Sequence, residues 1–116
     1  MKSLSLAFAV LLLAPTAVLS QTDPAIPALL DPPSCAGWIR GPSLEDKRWL
    51  LGYMSGLNTL HTMADQRPPN PIIRLGNAEQ IYEKVLKDCQ RSPGRTVALA
   101  GLQVFLGVIR EAVKDQ

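Results

Sequence analysis

Histidine is nearly absent from this chain, which has one, His61, in 116 residues, alongside two cysteines and six aromatic residues. A Ser-His-Asp or Cys-His catalytic arrangement would have to use His61, and one histidine with Cys35 and Cys89 makes a poor zinc set. On the first long helix His61 reads as a partly exposed surface or cap residue. No glycine-rich loop matches a phosphate cradle, because Gly52 and Gly56 fall inside a helical pattern. The acidic residues fall as Glu45-Asp46 and as Glu79 with Glu83, on cap and outer-face positions that suit solvation better than acid–base work. The expectation is no enzyme, no cofactor and no metal. An excess of charge is also lacking, since 12 Lys and Arg stand against 10 Asp and Glu and are scattered. Without a basic stripe interleaved with aromatics, nucleic acid is a poor partner. A span-length apolar run is missing too. Residues 4–19 and 96–109 both fall short of the roughly 20 residues a crossing helix needs, so no stable membrane insertion is expected.

What the chain does have begins at residue 1. Lys2 gives a positive start, Leu4 to Ala14 is apolar, and Val18-Leu19-Ser20 precedes Gln21. This is the pattern of a secretory signal peptide, residues 1–20, cleaved after about Ser20; an uncleaved anchor is the alternative. Cleavage leaves 96 residues, one small domain of marginal stability without a cross-link. In an oxidising compartment the two cysteines favour one disulfide over two free thiols or a metal site. With 53 residues between them, such a bridge contributes about 4 kcal/mol on chain-entropy grounds.

Residues 21–34 hold Pro24, Pro27, Pro32 and Pro33 and read as a flexible lead-in; residues 35–116 read as a single helical domain. Cys35 to Arg40 fits one short helical turn capped by Ser34, with Trp38 and Ile39 inward. The first long helix starts at Ser43, with Asp46 three residues on. Its apolar positions are Leu50, Met54, Leu57 and Met63, with Trp49, Tyr53 and Leu60 alongside. Gly52, Ser55 and Gly56 form a strip of small side chains that predicts a second helix packed closely over it. In the crossing loop from Asp65 to Gly76, Ile72, Ile73 and Leu75 are expected to tuck under the fold. The second long helix starts at Asn77 with Gln80 in capping-box position, and Ile81, Val85 and Cys89 face the core. The third, from Thr96 to Lys114, presents Ala98, Leu102, Phe105, Ile109 and Val113 on one face and is apolar nearly all round, which predicts a central position. The fold class is all-α: a small bundle of three long helices plus a short N-terminal helical turn, with one disulfide. Its apolar surplus either fills the core or makes a surface shared in a homodimer or offered to a protein partner. Arg67, Arg74 and Tyr82, with Ile72 and Ile73, are the candidate binding residues.

Cys35, the run Lys47-Arg48-Trp49-Leu50-Leu51-Gly52-Tyr53, and Ala78 to Leu86 leading into Cys89-Gln90-Arg91-Ser92-Pro93 together resemble the periplasmic HdeA/HdeB-like family. The outline, residues 35 to about 110, is also similar to the Tai-type immunity proteins of type VI secretion. The resemblance implies a periplasmic all-α protein with Cys35 joined to Cys89. It further implies an acid-stress or holdase chaperone that acts on unfolded clients, dimeric at neutral pH and opened by acid. The second outline implies an immunity or inhibitor protein that binds a secreted effector or enzyme. Full protonation of the carboxylates brings the cleaved chain to about +12, so self-repulsion favours partial opening between about pH 4 and 2. The longer lead-in, the loop from Arg67 to Gly76 and the more apolar last helix distinguish this chain from the short acid chaperones.

Overall fold

A computed structural model describes residues 31–115. The signal-peptide reading of residues 1–20 and most of the lead-in lie outside the described residues. Four helices follow one another: α1 (Cys35–Arg40), α2 (Leu44–Met63), α3 (Ala78–Arg91) and α4 (Val97–Lys114), with a 3-10 turn at Pro71–Leu75 between α2 and α3. The fold is all-α, as its periodicity predicts.

Each long helix starts where a side chain can satisfy its free N–H groups. Ser43 Oγ accepts from Asp46 N (3.1 Å) while Asp46 Oδ2 accepts from Ser43 N (3.2 Å), closing a capping box on α2. Asn77 and Gln80 close the second box, at 2.9 and 2.8 Å, on α3. Just ahead of it, Gly76 holds φ +91°, and a Cβ there would collide with the Gln80 side chain. Thr96 caps α4 and Ser34 caps α1. The lead-in is pinned at its end: Pro33 O accepts from Val97 N (2.7 Å), and Ser34 forms an isolated antiparallel bridge with Thr96.

Cys35 and Cys89 are joined, with Cα atoms 5.0 Å apart, so α1 is stapled to the last turn of α3. Around the bridge lies the core, built from Trp38, Leu50, Met54, Ile81, Val85 and Phe105 with their neighbours. Helix α4 packs against α2, α3 and the 3-10 turn, which makes it central.

Several expectations are corrected. The strip Gly52, Ser55 and Gly56 faces solvent, and a Cβ at either glycine would meet nothing within 4 Å. The close approach occurs instead at Gly101 of α4, where a Cβ would stand 3.2 Å from Met54 Sδ and 3.3 Å from Leu50 Cδ1 and Tyr53 Cε1. Burying Leu50 and Met54 removes far more apolar surface than burying the small strip, so α2 turns its large residues inward. Leu60 and Met63 share the solvent side of α2 with Gly56 and are exposed, as is Ile39 on α1. On α4, Phe105 is buried but Val113 is exposed; the inward face is Val97, Ala100, Gly101, Phe105 and Ala112. Small residues let two neighbouring helices come close, so they set the rotation of α4. His61, finally, is buried rather than half out.

Candidate binding surface

His61 lies four residues after Leu57 and seven after Met54, on the core face of α2. Its Nε2 donates to the Pro68 carbonyl at 2.8 Å, and its ring stands edge-on to Phe105 with centroids 6.0 Å apart. These contacts anchor the crossing loop to α2 and α4. They form no catalytic relay. Among the described residues no group of three or more His, Cys, Asp or Glu gathers as metal ligands, and no helix is long and apolar enough to cross a membrane.

The five candidate binding residues do not converge. Ile72 is half-buried against the core, but Ile73, expected to tuck under the fold with it, is 74% exposed at the tip of the 3-10 turn, because Pro71 and Leu75 take the inward positions of that turn. Asn58 of α2 sets that geometry: its Oδ1 accepts from Ile72 N (3.1 Å) and its Nδ2 donates to Asn70 Oδ1 (3.2 Å). Arg67 is exposed on the crossing loop. Arg74 reaches Asp115 beyond the end of α4, Nη1 to Oδ2 at 3.5 Å. Tyr82 stands elsewhere, between α1 and α2. Its ring meets Trp38 edge-on with centroids 5.9 Å apart, and Lys47 Nζ lies 5.4 Å from its centroid. Tyr82 and Arg74 line two separate clefts, of about 450 and 660 Å³.

Two surface features emerge in their place. The first is an outer row on α4: Leu99, Leu102, Leu106, Ile109 and Val113, spaced by three and four residues. Leu99 and Val113 are 50% and 55% exposed, Leu106 is 36% exposed, and Leu102 and Ile109 are half-buried. This spacing keeps all five on one side of the helix, the arrangement of a seam for another helix or an apolar segment. It is the surplus that the all-round apolar sequence of α4 foreshadows, though the face could be fixed only by packing.

The second is the larger cleft, between α3 and α4 and closed at one end by the 3-10 turn. Its floor is Leu75, Val104, Gly107 and Val108, and its walls carry Arg74, Lys84, Lys87, Arg91 and Arg110 against Asp88 and Glu111. Along the sequence these cations are scattered. Only Lys84, Lys87 and Arg91, at i, i+3 and i+7 on one helix face, carried a signal that could have been found; the other two come from elements far apart in the chain.

Fold and surface together define a class: a disulfide-stapled helical bundle with exposed apolar side chains and a cationic cleft. No family model, curated protein or solved structure matches this chain.

Proposed function

We propose that this chain is a periplasmic, non-enzymatic helical protein of the HdeA-like type, exported by a signal peptide cleaved after about Ser20, that serves as an acid-stress or holdase chaperone. The disulfide supports export to an oxidising compartment. The observation that carries the reading is the outer row of α4, where Leu99, Leu106 and Val113 stand exposed outside the core and can take an unfolded client or a second copy of the chain. Charge supplies the switch: protonated carboxylates leave the cations unopposed, and the bridge limits how far the chain opens. The test is light scattering of an aggregating client between about pH 2 and 3, with a dye that reports exposed apolar surface. Suppressed aggregation and raised dye fluorescence in acid, but not at neutral pH, are expected. A chain that neither opens nor protects the client there overturns the reading.

A second reading is favoured by a different observation. The cationic cleft is assembled by capped, stapled helices, and a fixed, charged concavity suits one dedicated partner better than many clients. On that reading the chain is an immunity or inhibitor protein that binds a secreted effector or enzyme.

A further inference from the structure

We infer that the cleft between α3 and α4 is a docking site for an acidic amphipathic helix of a partner protein. This rests on the reading of the chain as a protein-binding protein, in either of the forms above, and adds the chemistry of what is bound. Three observations carry it. First, the charge of the cleft is lopsided although that of the chain is nearly balanced: among the described residues five cationic side chains and two carboxylates line it. Second, both carboxylates are already engaged. Asp88 pairs with Arg91 (3.8 Å) and Arg95 (3.4 Å), and Glu111 with Lys114 (3.4 Å). Lys84 and Arg110, on opposite walls, have no carboxylate within ion-pair distance among the described residues. Arg74, Lys87 and Arg91 pair with Asp115, Glu83 and Asp88. The unbalanced positive charge therefore comes from Lys84 on one wall and Arg110 on the other, and it complements a partner carrying carboxylates. Third, the floor of Leu75, Val104 and Val108 is apolar, so the occupant needs apolar side chains as well as acidic ones.

The dimensions fit a helix. From Lys84 to Arg91 the α3 wall spans two turns, about 10 Å. Glutamates spaced by three or four residues on a partner helix match that spacing, with leucines on the adjoining face meeting the floor. A nucleic-acid strand is a poor fit, because among the described residues no Trp, Tyr, Phe or His lines the cleft to stack on the bases. An anionic lipid shares the charge but is a different occupant, and the test separates it.

The experiment measures binding of the purified chain at neutral pH, by fluorescence anisotropy, to a labelled amphipathic helical peptide with glutamates at i, i+4 and i+7 and leucines on the adjoining face. Two further probes are the same peptide with lysines replacing the glutamates, and phosphatidylglycerol vesicles. The acidic peptide should bind, and binding should weaken steeply with added salt. The double variant Lys84→Glu with Arg110→Glu should weaken it by at least about tenfold, because both changed side chains are in the cleft and no ion pair is lost. Arg40→Glu with Arg48→Glu changes the net charge equally on exposed positions away from the cleft and should leave binding within about twofold. Equal melting temperatures of the two variants exclude misfolding as the cause. The proposal is overturned if the lysine peptide binds as well, if vesicles are preferred to the peptide, or if both double variants weaken binding alike. Loss of client protection in acid would not touch it, since this site is read out at neutral pH.

Discussion

Tyr53 shows how one side chain couples the helices. Its ring stacks on Trp49, with centroids 5.1 Å apart and planes 13° from parallel, and its edge lies over Gly101 of α4. Burial pushes its phenol above the usual value of 10.0, because the charged form would lose water without a compensating partner. The folded state thus prefers the neutral phenol. Its contribution is complete below the unfolded value and is lost as pH rises through the higher folded value. Melting temperatures measured across the alkaline range should therefore fall less steeply for Tyr53→Phe than for the parent chain; parallel curves would contradict the burial argument. His61 and Asn58 work by similarly local means, the first tying the loop through the Pro68 carbonyl and the second holding the turn through the Ile72 amide. Neither role was legible beforehand. A histidine on an amphipathic helix looks polar until a carbonyl appears beside it, and an asparagine reads as surface until the loop folds back over it.

At the scale of elements, helix starts and helix rotations differ in how far they can be read. The boxes at Ser43 and Asn77 are complete within four residues, so the sequence contains all of their chemistry. Which face of α4 turns inward depends on two neighbours, and an almost wholly apolar helix gives no contrast to read it by. The glycines make the same point. Gly52 and Gly56 looked like a packing strip because they repeat at helical spacing, yet Gly101, a single glycine, occupies the crowded contact. Gly101→Leu should destabilise the fold by about 1–3 kcal/mol through overpacking. Gly56→Ala, on an exposed helical position with open space, should stabilise it by roughly 0.5–1 kcal/mol. Denaturant melts of the two variants check both signs. A destabilised Gly56→Ala beside an unaffected Gly101→Leu would restore the strip as the packing face.

For the whole molecule, the disulfide and the central α4 divide the labour. The bridge staples α1 and α3 at one corner, and α4 fills the middle with Val97, Ala100, Gly101, Phe105 and Ala112 while Leu99, Leu106 and Val113 point outward. The pairing was legible from a count of two cysteines in a chain whose first residues read as a signal peptide. The cationic cleft was not, because Arg74, the α3 lysines and Arg110 meet only after the chain has folded. The surplus of apolar side chains was legible as a quantity but not as a place. The structure leaves it on α2 (Leu44, Leu60 and Met63), at Ile73 of the 3-10 turn and along the outer row of α4, and the chaperone proposal stands on that last row. Leu99→Ser, Leu106→Ser and Val113→Ser change side chains that are at least 36% exposed and leave the inward face intact. The most direct measurement is light scattering of an aggregating client between about pH 2 and 3, comparing the parent chain with this triple variant once equal melting temperatures at neutral pH are established. The account predicts that the parent suppresses aggregation and that the triple variant loses most of that protection. Equal protection by the two proteins, or none by the parent, would contradict it.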